Sequence, residues 1–464
     1  MIKLDTIYPT FFRKTRLILQ PWGATVLPLK NTGEPFTPGD EIDRFGFEIL
    51  RHIDGRTSLA TLLERVDASV EADDLDVGRA ALDFIQNLSG DLRFYSVPVA
   101  RPVSIVGDGT TTFPTHVSIE LTDHCNLVCR HCYRNSSPAL KTFIPTGSIL
   151  QILDELCLFG VKTVELTGGE PMTHPDFDTL FERAATLFNL VPIVSNGTLI
   201  DASKVSLFSR FAKRMFVQVD LDGDSADVHE DLRRIPGSFA NVCTAIQLLA
   251  AAGVPFRVVM NVYPKNLSRI RATAALARSL GASTFTLTPV LPLGRGSSMD
   301  GLKIEDEDLR EYARVVTELE SEDPGFIHVS VESRVEHSQP NKSCGAGSKS
   351  LVIGPDGNVR PCLMMEAYHG VLGSVLDTGY AGFLGKAALL EHSEVPAPSE
   401  EYCGDCRFGD YCKGCITRPM SVIKTQGAVD PTFRCYWNEK VQYYSGVLRR
   451  ADSAARQLIE LSIV

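Results

Sequence analysis

No run of apolar residues in this chain approaches the length that a membrane-spanning helix requires. The segment from Met1 to Gly23 lacks the charged, apolar and small-residue zones of a secretory signal, so a cytoplasmic location is expected. No basic block stands out either. The 46 Lys and Arg are outnumbered by 57 Asp and Glu, for a net charge of -11. That balance argues against nucleic acid or an anionic membrane as the main partner. Long internal repeats and low-complexity tracts are absent too.

What the chain does have is cysteine, 12 in 464 residues. Disulfides are rare in the cytoplasm, so metal or redox chemistry is the better expectation for so many thiols. Their placement agrees. Three lie between Cys125 and Cys132 and seven between Cys344 and Cys435. Cys157 and Cys243 stand alone, and both read as small buried apolar residues.

The length suggests several domains. Residues 1–100 read as a first unit. Thr15–Leu19 and Ala24–Leu29 are strand candidates. One helix carries Ile42, Phe45 and Ile49, a second Leu59, Leu62 and Val66, and a third runs from Val77 to Leu88. Thr57 or Ser58 can cap the second helix, and Phe94–Val99 reads as a closing strand. Residues 101–114 are turn-rich and read as a linker.

Residues 115–325 alternate strand and helix. The strands expected are His116–Leu121, Thr163–Leu166, Pro192–Ser195, Met215–Leu221, Phe256–Val262 and Ser283–Pro289. That alternation predicts an α/β fold of parallel strands with chemistry at their carboxyl ends. Residues 326–436 are short strands, turns and cysteines, with Gly354-Pro355-Asp356-Gly357 as a hairpin turn. Residues 437–464 read as a C-terminal helix.

Cys125-x-x-x-Cys129-x-x-Cys132 follows the first of these strands. Three close thiolates on a four-iron cluster leave one iron without a protein ligand, and an open position marks catalysis rather than structure. The alternative is a zinc knuckle completed by His124 or His131. This spacing, followed by Tyr133, resembles the radical S-adenosylmethionine (SAM) superfamily. The later Gly168-Gly169-Glu170-Pro171, Ser195-Asn196-Gly197, Asp220-Leu221-Asp222-Gly223 and Arg233 fit the same resemblance. It implies a partial (βα)6 barrel. It also implies a [4Fe–4S] cluster on Cys125, Cys129 and Cys132, with SAM chelated at the open iron and split to a 5'-deoxyadenosyl radical that takes a hydrogen atom from substrate. Gly168, Gly169, Glu170 and Pro171 would receive the SAM amino group, Ser195, Asn196 and Asp220 would line its site, and Arg233 would pair with its carboxylate. An electron donor such as flavodoxin or ferredoxin is implied as well. His131 reads as a solvated side chain between ligands.

The order Cys344, Gly357-x-x-x-x-Cys362, Cys403-x-x-Cys406, Cys412-x-x-Cys415, Cys435 resembles the SPASM extension of that superfamily. Zinc ribbons are the alternative. The resemblance implies two auxiliary [4Fe–4S] clusters, making three in all. Cys344, Cys362 and Cys415 would serve the first, and Cys403, Cys406, Cys412 and Cys435 the second. Seven thiolates on two clusters leave one position open. The Cys412–Cys415 pair is one residue tighter than the commonest spacing.

The first 100 residues resemble the RiPP recognition element, a winged-helix-like domain that grips the leader of a ribosomally made precursor peptide. Ile53-Asp54-Gly55-Arg56-Thr57-Ser58 and the helix of Phe84, Ile85 and Leu88 carry that resemblance. A generic winged helix is the alternative, and no basic recognition helix supports DNA binding. Together the resemblances imply a peptide maturase that forms a thioether or other crosslink, with the precursor peptide as partner. A sulfatase-type oxidase, a tetrapyrrole-modifying enzyme and an iron–sulfur electron carrier are the other readings. Asp123, Glu120 and Asp405 are candidate acids or bases.

Overall fold

The computed structural model describes residues 3–29, 40–70, 76–88, 90–110, 112–297, 301–302, 306–329, 345–365, 370–384, 395–412 and 414–443. Cys344 and most of the expected C-terminal helix lie outside these residues. Two compact units emerge. One comprises residues 1–115 with 153–162 and 187–189, and the other the remainder.

In the first unit a four-stranded sheet runs in the order Asp40–Asp43, Gly23–Leu29, Lys14–Gln20, Ser104–Val106. Three helices, Arg44–Leu50, Leu59–Ser69 and Val77–Asn87, accompany it, and Tyr8–Phe11 pairs antiparallel with Leu92–Tyr95. Each helix starts at a side chain that satisfies an otherwise orphaned N–H. Asp43 accepts from Gly46 N at 2.8 Å, Ser58 from Thr61 N at 3.2 Å and Asp76 from Arg79 N at 3.0 Å. The Asp43 cap explains a difference from the sequence reading: Ile42 precedes it and sits on a strand, not on the first helix. The apolar faces of helices and sheet meet in one core that includes Leu17, Phe47, Ile49, Leu62, Val66 and Ile85. The closing strand falls earlier than Phe94–Val99, because Pro98 has no N–H to donate to a ladder. Ser104–Val106, expected inside a linker, is a strand parallel to Lys14–Gln20.

The second unit is organised by a ten-stranded sheet. Strands His116–Glu120, Thr163–Thr167, Val191–Ser195, Met215–Asp220, Phe256–Val262, Phe285–Pro289 and Ile327–Val329 follow one another in chain order, all parallel. The first six are the expected barrel strands. On the other side of His116–Glu120 the sheet continues with Ser350–Ile353, also parallel, then Asn358–Arg360 and Gly373–Ser374, both antiparallel. The hairpin 354–357 turns where expected. Gly357 takes φ +78° and donates its N–H to Gly354 O at 2.9 Å. Alternation along the strands sorts side chains by period two. In Met215–Asp220, Met215, Val217 and Val219 are buried in the hydrophobic layer, whereas Gln218 and Asp220 line a cavity inside the sheet. Glu165 and Thr167 do the same on their strand. Among the described residues no helix is long and apolar enough to cross a membrane.

Candidate active site

Cys125, Cys129 and Cys132 sit on one loop at the carboxyl end of His116–Glu120, and all three thiols are free. The loop is pinned along its length. Thr142 N donates to Asp123 Oδ1 at 2.7 Å, Cys125 N to Ser137 O at 3.3 Å, and Arg295 Nε to Cys129 O at 2.9 Å. Asp123, a candidate acid, is therefore a loop fastener. Burial pushes the Cys125 thiol up to about 12. It pushes Cys129 to about 11, against the pull of the Arg233 guanidinium. Thiols this reluctant to ionise need a cation to hold them as thiolates, which suits a cluster.

The loop shares its cavity, 530 Å³ in volume, with Gly168, Gly169, Ser195, Asn196, Asp220 and Arg233. Residues far apart in sequence are thus brought to one place. The glycines are required by close approach. A Cβ on Gly168 would stand 2.4 Å from Thr122 O, and one on Gly169 2.1 Å from His124 O. The turn is stitched to the cysteine loop by Gly169 N to Thr122 O at 2.7 Å and Glu170 N to His124 O at 2.9 Å. Pro171 then opens a single 3-10 turn.

Glu170 is fully buried. Its carboxylate accepts from Ser195 Oγ at 3.0 and 3.1 Å and from Asn196 N at 2.9 Å. Burial nevertheless lifts its pKa to about 7. Ser195 thus orients Glu170 rather than facing the cavity alone. The Asn196 side chain belongs to a network the sequence reading missed: Asn196 Nδ2 donates to Asn126 Oδ1 at 2.9 Å, Asn126 Nδ2 to Thr198 Oγ1 at 2.8 Å, and Thr198 N to Asn196 Oδ1 at 2.9 Å. The signal was available, since Asn126 lies inside the cysteine motif and Thr198 one residue past Gly197.

Arg233 is held on two sides. Its Nε donates to Asp222 Oδ2 at 2.5 Å, and Nη2 stands 3.0 Å from Asp220 Oδ2. Its Nη1 reaches Cys129 Sγ at 3.8 Å. Asp222 also accepts from Asn261 N at 2.8 Å, and its own N–H donates to His229 Nδ1 at 3.1 Å. Burial works against both carboxylates. It leaves Asp220 raised, whereas the Arg233 charge wins at Asp222 and holds it low. His131 is not the solvated side chain expected. Its Nδ1 is out of reach of solvent, and burial with Arg233 nearby lowers the ring to about 3.

Farther along, Cys403, Cys406, Cys412 and Cys435 converge. Burial raises the Cys412 thiol, and Cys435, Cys403, Cys406 and Cys415 raise it further. Cys362, Cys406 and Cys435 pack against one apolar cluster containing Cys403, Met420 and Trp437. Cys362 also lines the cavity that holds the first three cysteines. Asp405 is exposed on its turn, and Glu120 is buried between two arginines. The donor set fits an iron–sulfur cluster beside an amino-acid ligand: three free thiols on one loop, with a buried carboxylate and a guanidinium behind them.

The comparisons with known proteins agree with that chemistry. The family model of the radical SAM superfamily matches residues 119–277, and that of the SPASM iron–sulfur cluster-binding domain matches residues 344–407. The chain is 28% identical over 389 residues to AlbA, the antilisterial bacteriocin subtilosin biosynthesis protein of Bacillus subtilis, covering 83% of this chain and 86% of that one. It is 31% identical over 307 residues to the mycofactocin maturase MftC of Mycobacterium tuberculosis, covering 65% and 78%. Its fold is similar to the crystal structure of Streptococcus suis SuiB bound to S-adenosylmethionine, with a TM-score of 0.61, 15% identity and coverage of 89% and 96%. With the cysteine loop, the Gly-Gly-Glu-Pro turn and the second cysteine group in their places, the chain belongs to the radical SAM superfamily, among its SPASM-bearing peptide maturases.

Proposed function

We propose that this chain binds the leader of a ribosomally made precursor peptide through residues 1–100 and installs a crosslink in the peptide's core, a thioether first among the options. The similarity to AlbA, a bacteriocin biosynthesis protein, over 83% of the chain supports action on a peptide, and the short-by-one cysteine set carries the choice of a thioether. The first unit, with its four-stranded sheet and three helices, supports leader binding, since such a sheet has edges to which an extended peptide can add as a strand.

Cys125, Cys129 and Cys132 would hold the catalytic [4Fe–4S] cluster. Glu170, oriented by Ser195, would receive the SAM ammonium, and Arg233 its carboxylate, a pairing that suits a guanidinium fork. When bound, cluster and SAM supply a 5'-deoxyadenosyl radical that takes a hydrogen atom from the peptide. Cys344, Cys362 and Cys415 would hold one auxiliary cluster and Cys403, Cys406, Cys412 and Cys435 the other. The position that lacks a cysteine suits the thiolate of a substrate Cys. An electron donor such as flavodoxin or ferredoxin completes the set.

Co-expression with a candidate Cys-bearing precursor peptide, followed by mass spectrometry, tests the proposal. The expected product is lighter by two hydrogens per bond, and tandem spectra place a Cys sulfur in it. Deleting residues 1–100 should abolish the change. An unaltered peptide with the intact chain, or undiminished modification after the deletion, sinks the reading.

A further inference from the structure

Glu120 ends the first barrel strand and is 1% exposed. Its Oε2 meets two guanidinium groups, Arg134 Nη2 at 2.7 Å and Arg360 Nη2 at 2.5 Å. Arg134 comes two positions after Cys132, and Arg360 two positions before Cys362. Arg360 is buried, and its Nη1 donates to Met365 O at 2.6 Å. Two cations on one carboxylate leave a surplus positive charge in a dry place.

Arg134 shows where that surplus is directed. Its side chain is 8% exposed and lines the cavity, as do Pro361, Cys362 and Met364. Among the described residues its Nη1 has no hydrogen-bond partner. A buried charged donor without an acceptor is costly, and such orphans occur where a ligand or water completes them. Glu120 Oε1 is likewise unpartnered, but Glu120 does not line the cavity. Of the acidic groups nearby, Glu165 is engaged by Ser118 Oγ at 2.9 Å.

We infer that Arg134 is a substrate-anchoring residue whose Nη1 donates to an acceptor oxygen of the peptide, while Glu120 and Arg360 fix the direction of its guanidinium. SAM has polar ends suited to Glu170, just past the second strand, and to Arg233, at the end of helix Ala226–Arg233, so the acceptor at Arg134 is assigned to the other reactant. A peptide offers backbone carbonyls and, at Asp or Glu, carboxylates, and both meet the same donor. The inference rests on the proposed function only in taking the substrate to be a peptide.

The reconstituted full-length enzyme and its precursor peptide provide the test. R134Q is compared with the parent for iron per chain, cluster absorbance, and crosslinked product per 5'-deoxyadenosine released. A misplaced substrate wastes radicals, so that ratio should fall about tenfold or more in R134Q at full iron content, with R134K intermediate. A ratio within about twofold of the parent overturns the inference. Should R134Q lose its iron, R134K judges instead, and a parental ratio there overturns it equally. Replacing the core's Asp and Glu by Asn and Gln identifies the acceptor: an R134Q defect that persists means a backbone carbonyl, and one that vanishes means a carboxylate. If the parent enzyme proves to consume a non-peptide substrate, the proposed function falls alone, and the same ratio on that substrate still judges Arg134.

Discussion

Ser195 Oγ lies 3.0 Å from one carboxylate oxygen of Glu170 and 3.1 Å from the other, so one hydroxyl steers the whole carboxylate. Burial holds that carboxyl near 7. Its folded pKa is raised, so the proton stays on below about 7 and leaves above it. An ammonium-bearing ligand therefore binds better as pH rises from 6 to 8. Ser195→Ala removes a hydrogen bond to a charged group, about 1.5 kcal/mol, and should weaken SAM binding roughly tenfold while moving the pH midpoint upward. Equilibrium dialysis with cluster-loaded protein across that range checks both. An affinity flat with pH would show that Glu170 does not meet the ammonium.

Asp222 is 0% exposed and joins Arg233, Asn261 and His229. Breaking a buried ion pair from one side leaves the other charge stranded. Asp222→Asn should cost about 3 kcal/mol and lower the melting temperature, whereas Asp220→Asn, whose carboxyl is already raised by burial, should cost less. Thermal melts of the two variants decide this, and equal losses would contradict it.

Gly55 holds φ +71°, and a Cβ there would meet Val99 O at 1.9 Å. Its neighbour Asp54 accepts from Arg56 N at 2.8 Å and Thr57 N at 2.7 Å. Gly55→Ala should destabilise the first unit by roughly 2 kcal/mol or more. Ser58→Ala, which removes only a helix cap, should cost about 1 kcal/mol. Hydrogen exchange over residues 40–70 should report both losses with undiminished iron content, and a loss of iron in either variant would argue against two separately compact units.

The cysteines divide sharply in what they should do. Cys412→Ala is expected to lower bound iron by about four atoms per chain. Cys157→Ala should leave iron unchanged and cost about 1 kcal/mol or less, since Cys157 is a 3% exposed small side chain in a hydrophobic layer. Iron and sulfide analysis of anaerobically purified variants settles the comparison. Iron loss in Cys157→Ala would reassign that thiol.

Much of this was legible in the chain. The six barrel strands, the Ser58 cap and the turn at Gly357 are local, because alternation, capping chemistry and positive φ act over a few residues. The motif residues could be grouped because their elements recur in a regular order. What could not be read depends on contacts without a local period. Arg360 and Glu120 are 240 residues apart, and nothing in either neighbourhood announces the other. Ser195 lines the cavity, yet its hydroxyl goes to Glu170, a contact that no local pattern announces. Ile42 has helical spacing with Phe45 and Ile49, yet the Asp43 cap places it on a strand.

The strand Ser350–Ile353 lies alongside His116–Glu120, on the side away from Thr163–Thr167. A ribosome that has made only the first 349 residues has therefore released a barrel strand with one bare edge, and that strand leads straight into the cysteine loop. The sheet cannot be completed, nor Glu120 receive Arg360, until the last quarter of the chain emerges. The timing of synthesis is thus written into the sheet order: the loop that would receive iron exists before the wall that closes behind it.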